Sequence, residues 1–367
     1  MSISMFETVV TPAALDLASA VIRSGQLSTG PRVVAFEDAL ARELRLSHPV
    51  ALNSGTSALH LALVLAGVGP GDEVVLAPQT FVATAQAILM QRAVPVFADI
   101  DPLTGNLAVE SLTRALTPPT KAIIAVHWAG YPCDLDEIGA CAALRGIPVI
   151  EDAAHALGAS YRGRAIGSVS RFTCFSFQAI KHVTCGDGGA LCCVHPDDAL
   201  EARRRRWFGI DREHALPSEL GEREFDIDAV GYKYHMNDLA AAVGLGNLSG
   251  FRDRLARRRT IVAAYRTALA RVSGVTLLRR ADDRQSADWL CTILVERRDA
   301  FVRALQSHGV PTSVVHRRID RFRVCGGVRA ELAGQQQFDE RQISLPLHSG
   351  LSDEQVDQVM TAVRCGW

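Results

Sequence analysis

The chain has 367 residues, 48% hydrophobic and 22% charged, with a formal net charge of −1. That length points to two domains, the balance of charge excludes a polybasic nucleic-acid binder, and no apolar run reaches the ~18 residues of a membrane span. The start MSISMFETVV lacks the basic and apolar regions of a signal peptide, and nine cysteines without a Cys-x-x-Cys pair read as reduced, buried residues of a cytoplasmic protein.

In chain order, residues 34–46 and 57–68 carry apolar side chains at helical spacing. A strand at 73–78, a helix at 80–93, a strand at 94–101, a helix at 109–116, a strand at 121–127, a helix at 134–146 and a strand at 147–155 follow. Short apolar strands alternating with helices predict an α/β fold with a mostly parallel, buried sheet. Functional groups in such sheets gather at the carboxyl ends of strands, which singles out 78–81, 99–101, His127 and 152–155. After residue 194 the pattern changes. A helix over 196–209 leads into a long polar stretch, 210–238, of the kind that is functional or reaches a partner. An Ala-rich helical pattern over 238–272 breaks around Gly250. A strand at 289–295, a helix at 298–309 and a last helix at 352–364, capped by Ser352, complete a smaller α+β domain.

Three segments carry chemistry. In NSGTSALHLAL (53–63), small hydroxyl residues and a glycine precede a helix, whose N-terminus offers free N–H groups and a positive dipole end. Gly55, Thr56 and Ser57 therefore form a phosphate cradle, or serve as ordinary caps. In VIEDAAHA (149–156), a β-branched strand ends in Glu151 and Asp152. A buried acid there needs a cation or donors, and a protonated pyridine nitrogen is one such partner. In TCFSFQAIKHVTCGDGGALCC (173–193), Lys181 stands out because lysine occurs elsewhere only at Lys121 and Lys233. Arginine matches every electrostatic role of lysine but does not shed its proton to attack a carbonyl. Ser176 lies five residues ahead of Lys181, and the turn after it suits a positive φ at Gly186, Gly188 or Gly189. Arginine runs at 203–206 and 257–259 are solvated helix faces or anion sites. A phosphate cradle, a strand-end Asp and an inward lysine are together the three anchor points of pyridoxal phosphate.

The chain also resembles the DegT/DnrJ/EryC1/StrS family of sugar aminotransferases. The resemblance runs over nearly the whole length, through GPRVVAFEDALA, NSGTSALHLAL, APQTFVATAQAI, PVFADIDPLTGN, AIIAVHWAGYPCDLDEI, VIEDAAHALGASYRGRAIG, FSFQAIKHVTCGDGGAL, GYKYHMNDLAAAVGLGNL and ISLPLHSGLSDEQVDQVM. It implies the α/β fold of fold-type I pyridoxal-phosphate enzymes. A large cofactor-binding domain, 1–240, would hold a mostly parallel seven-stranded sheet between helices, followed by a small C-terminal α+β domain, 241–367. It implies Lys181 as the catalytic amine, Asp152 at the pyridine nitrogen, His155 near the phenolic oxygen and Phe81 on the ring. Gly55, Thr56, Ser57 and Ser176 would meet the phosphate.

The resemblance further implies a homodimer with a shared active site, completed by the partner's 231–235 segment. That segment reads GYKYH here, with Lys233 in place of the usual Asn and His235 in place of Arg. VVHRRIDRF (314–322) keeps His316 of the family's substrate segment but not its Tyr and Pro. The implied reaction moves an amino group from glutamate, through pyridoxamine phosphate, to a nucleotide-diphosphate keto sugar, with Arg203–Arg206 and Arg212 as candidates for the diphosphate. HVTCGDGGA resembles C4-aminating members, which points to a 4-keto-6-deoxyhexose, and the Ala- and Arg-rich composition suits natural-product or antibiotic biosynthesis. The alternatives are a cyclitol or 3-keto-sugar aminotransferase, a sugar dehydratase of the same family, in which His replaces the lysine, and a non-catalytic binding relative.

Overall fold

A computed structural model of the chain describes residues 3–212 and 215–367. Strands β1 (Pro49–Leu52), β2 (Glu73–Leu76), β3 (Val94–Phe97), β4 (Thr120–Val126), β5 (Val149–Asp152), β6 (Phe172–Ser176) and β7 (Gly189–Cys193) form a seven-stranded sheet. Its order is β1-β7-β6-β5-β4-β2-β3. β7 is antiparallel to both its neighbours, and the other pairs are parallel. Both faces are covered, so the strands are apolar on both sides. Alternation sends Val75, Ile123, Ala125 and Cys192 into one core and Val74, Leu76, Ile124 and Cys193 into the other. The neighbouring cysteines thus face opposite layers, and neither forms a disulfide.

The helices of this part are α1 (Pro12–Ser24), α2 (Pro31–Leu44), α3 (Gly55–Leu65), α4 (Ala83–Met90), α5 (Val109–Ala115), α6 (Leu135–Ala143), α7 (Pro196–Arg205) and α8 (Asp238–Leu248), with α1 packed on α8. α9 (Phe251–Leu269) follows α8 after Gly250, whose φ of 70° makes the break expected there. Ala241, Leu248, Phe251 and Leu255 pack into the first core, whereas Ile261, Val262 and Tyr265 begin a third. That third core lies under an antiparallel sheet of β8 (Val275–Leu277), β9 (Cys291–Val295) and β10 (Gln342–Leu345). It also uses α10 (Arg298–Ser307) and α12 (Asp353–Arg364), while α11 (Ala333–Arg341) sits against β9. Ser352 opens α12 with a full capping box: its Oγ accepts from Gln355 N at 3.2 Å, and its N donates to Gln355 Oε1 at 3.0 Å. The stretch 210–238 includes a short hairpin pairing Leu216–Pro217 with Arg223–Glu224, and it exposes Leu216, Leu220, Phe225 and Val230. α1, β1, β8, β10 and α11 are additional to the elements expected from the sequence. α1 buries Ala14 and Val21 alone among its apolar side chains.

The end of β5 governs where the site lies. Period-two alternation turns Glu151 and Asp152 to opposite faces. His127 Nδ1 accepts from Cys133 N at 3.0 Å, so the ring proton sits on Nε2 and is donated to Glu151 Oε2 at 2.7 Å. The other Glu151 oxygen accepts from Ser170 N at 3.0 Å and Thr173 Oγ1 at 3.2 Å. Burial pushes the Glu151 carboxyl up, but the hydrogen bonds from His127 and Ser170 outweigh it and hold the group below its ordinary value. Glu151→Ala leaves these buried donors without an acceptor and is expected to lose about 3 kcal/mol or more, whereas Glu151→Gln, which keeps one oxygen, loses less. Urea unfolding of the two variants checks this, and an alanine loss below about 1 kcal/mol would remove the anchoring role.

Candidate active site

α3 starts at Gly55, with Ser54 as its N-cap. Ser54 Oγ accepts from Ser57 N at 3.1 Å, and Ser57 Oγ donates to Asn53 Oδ1 at 2.6 Å. Ser57 is thereby committed to the cap and does not line the neighbouring cavity, contrary to its expected place in the cradle. Among the described residues the amides of Gly55 and Thr56 make no hydrogen bond, and both residues line the cavity. The helix start can lie this close to the sheet because glycines face it. A Cβ at Gly189 would overlap the Ser54 carbonyl, and one at Gly55 would lie 3.0 Å from Ser176 Cβ. Of the three turn glycines, Gly186 alone takes a positive φ, 82°. Gly188 and Gly189 are needed for space instead.

The cavity has a volume of about 340 Å³ and brings together Gly55, Thr56, Phe81, Asp152, His155, Ser176, Lys181 and His316. Asp152 Oδ2 accepts from Thr84 Oγ1 at 2.8 Å and Oδ1 from Ala154 N at 3.2 Å. Burial nevertheless raises its pKa, since these bonds and the charge of Lys181 compensate in part only. Lys181 opens onto the cavity, yet packing around its amine pulls the pKa down to about 7, against the opposing charge of Asp152. Its Nζ lies 3.7 Å from the ring centroid of Trp289. The His155 ring stacks on the same indole at 3.8 Å and 17°, and its buried Nδ1 has no partner among the described residues. Burial first, and then the charge of Lys181, hold His155 well below the ordinary histidine value. The same two causes take His316 down to about 4. Both imidazoles are neutral near pH 7.

These groups fit a phosphorylated pyridine aldehyde. Unpaired helix amides suit the phosphate, a desolvated carboxylate suits a protonated ring nitrogen, the unpaired imidazole nitrogen suits a phenolic oxygen, and a low-pKa amine suits the aldehyde. Thr84 and Trp289 were missed by sequence reasoning. Thr84 lies within APQTFVATAQAI, but its bond to Asp152 spans 68 positions and nothing local marks the pairing, and Trp289 lies in none of the quoted motifs.

Arg212 and Lys233 lie elsewhere. Arg212 Cζ and Lys233 Nζ sit 5.1 Å and 5.6 Å from the ring of Trp207, which lines a separate cavity of about 500 Å³ together with Arg203, Arg206 and His235. The arginine run expected to meet a diphosphate is engaged internally. Arg203 and Arg206 pair with Glu37, Arg204 with Glu201 and Asp228, and Arg205 with Glu201. The second run is a brace as well. Arg257 pairs with Asp353, while Arg258 and Arg259 donate to the carbonyls of Leu347, Ser286 and Gly158.

Similarity to known proteins agrees with this geometry. The spore coat polysaccharide biosynthesis protein SpsC of Bacillus subtilis is 38% identical over 94% of the chain and 91% of its own length. The crystal structure of AtS13 from Actinomadura melliaura is 39% identical with a TM-score of 0.94, covering 100% of this chain and 99% of that one. The sugar aminotransferase CalS13 from Micromonospora echinospora is 34% identical with a TM-score of 0.94, covering 100% of both chains. A family model matches residues 11–364, and the chain belongs to the DegT/DnrJ/EryC1/StrS aminotransferase family.

Proposed function

We propose that this chain uses pyridoxal phosphate to move an amino group from glutamate to a nucleotide-diphosphate keto sugar, a 4-keto-6-deoxyhexose aminated at C4. The observation that carries this reading is Lys181. A lysine whose pKa is about 7 opens onto a cavity that also holds Asp152 and the start of α3, in a family of sugar aminotransferases. A lysine at this position also separates the chain from the family's dehydratases, which carry histidine there. C4 amination rests on the resemblance of HVTCGDGGA (182–190) alone.

Bound pyridoxal phosphate supplies an aldehyde that bonds amines and a ring that delocalises charge from the substrate's α-carbon. The residues do the rest. The amides of Gly55 and Thr56, with Ser176, hold the phosphate at the positive end of α3. Asp152, oriented by Thr84, keeps a proton on the ring nitrogen. His155 accepts or donates at the phenolic oxygen, and Phe81, beside His316 at 5.2 Å, covers the ring. Lys181, neutral at Nζ, would take the donor's α-carbon proton and pass it within the same half-reaction to the coenzyme carbon that had carried the aldehyde, and would run the same transfer backwards onto the sugar carbon when the keto sugar enters. The enzyme acts as a homodimer, supported by the exposed apolar side chains of the 210–238 stretch, and among the described residues no helix is long and apolar enough to cross a membrane. Lys233 and Arg212 lie away from the cavity of their own subunit, an arrangement compatible with service to a partner's site.

Separate incubation of nucleotide 4-keto sugars, nucleotide 3-keto sugars and a cyclitol ketone with glutamate, followed by mass detection, is expected to give an amino product with a 4-keto-6-deoxy sugar. Product from 3-keto sugars alone would overturn the regiochemistry, and product from a cyclitol ketone alone would overturn the substrate class. Lys181→Arg keeps the charge but not the titratable amine, so transamination should fall about 100-fold or more. Retained activity would exclude Lys181 as the proton carrier. A protonated amine cannot attack an aldehyde, so capture of added cofactor, trapped with hydride, should rise with pH through about 7 and then level off. A rise delayed to the ordinary lysine range, about 10.4, would show that burial does not tune this amine.

A further inference from the structure

Trp289 precedes β9 and is wholly buried. Its backbone N donates to Ala129 O at 2.9 Å, and its Nε1 donates to Ile180 O at 3.0 Å. The second bond ties the indole to the residue immediately before Lys181. Lys181 N in turn donates to Gln178 O at 2.9 Å, so ring and amine are referenced to one turn of backbone. Phe6 stacks on the indole at 5.7 Å and 24°, and His155 at 3.8 Å and 17°. Gly130, with φ of 93°, makes the approach possible, because a Cβ there would lie 3.0 Å from Asp288 N and 3.2 Å from Trp289 N.

We propose that Trp289 is the positioning residue of Lys181: its indole receives the amine whenever that amine is not bonded to the cofactor, and fixes the point from which it acts. The functional meaning rests on the reading of Lys181 as the reacting amine, whereas the contact itself stands on geometry. Indole is the best of the aromatic faces for a cation, and the attraction is ~0.5–1 kcal/mol when exposed and ~2 kcal/mol or more when desolvated. It works against the burial that otherwise drives the amine toward its neutral form. The other groups facing Lys181 are Asp152, His155, His182, His316 and Asp187, with Glu7, Arg254 and Arg258 in a small cavity behind it. Asp152 supports the charged form, and His155, His182 and His316 are all held in their neutral forms.

The sequence makes the test simple, because cofactor-free protein labelled with [13Cε]lysine gives three lysine signals, and Lys181→Arg assigns the relevant one. In the unsubstituted protein the Lys181 Hε resonance should lie upfield of the other two, displaced by the indole ring current. In Trp289→Leu the displacement should vanish, and the Lys181 titration midpoint should fall by about 0.4–1.5 pH units, a 2- to 30-fold change in acidity corresponding to ~0.5–2 kcal/mol. Trp289→Phe should keep part of both effects, and it decides the matter if the leucine variant does not fold. An undisplaced Lys181 resonance in the unsubstituted protein, or an unchanged midpoint in Trp289→Phe, overturns the proposal. A displaced resonance with no covalent capture of cofactor would instead sink the reading of Lys181 while leaving the Trp289 contact intact.

Discussion

An ammonium group is poorly tolerated away from water, and this site is organised around that fact. Packing lowers the Lys181 amine to about 7. The cavity that does so is made by parts of the chain far apart in sequence: the turn after β6, the end of β5, the start of α3 and the residues leading into β9. Each must reach its place for the amine to be desolvated, so fold and chemistry are coupled through one solvation term. Asp152 faces the same constraint with opposite charge. Two buried groups that each resist ionisation are well suited to receive a ligand that offers a ring nitrogen to share a proton with the acid and an aldehyde to the amine.

The sheet makes this economical. The carboxyl ends of β4 and β5 and the start of α3 meet along one edge, and the antiparallel β7 brings Gly189 under Ser54 so that the helix start can sit against the sheet. Alternation along β5 assigns two neighbouring acids to unlike duties. Glu151 is saturated with donors and holds the strand, while Asp152, with fewer, remains available to a ligand.

What could be read beforehand was what depends on local chemistry. Lys181 was legible because the chain has almost replaced lysine with arginine, Asp152 because it ends a β-branched strand, and Gly55 and Thr56 because they stand at a helix start. What could not be read depends on partners remote in sequence. Charge alone suggested an anion site at Arg203–Arg206, but the folded chain supplies Glu37 to Arg203 from 166 positions away. Trp289 reads as an ordinary apolar residue until folding brings it 109 positions back to Ile180. Ser57 looked equivalent to Gly55 and Thr56, and only the direction of the cap bond tells them apart.

The position of the first residues has its own consequence. Ile3 belongs to the core built from residues 261–363, and Phe6 lies on Trp289. Phe6 and Trp289 are far apart in sequence, so their contact closes a long loop and depends on the tertiary fold rather than on any local segment. The back of the pocket thus owes its rigidity to a remote segment, and a change at Phe6 would reach the indole, and through it the Lys181 amine, although Phe6 itself does not line the cavity.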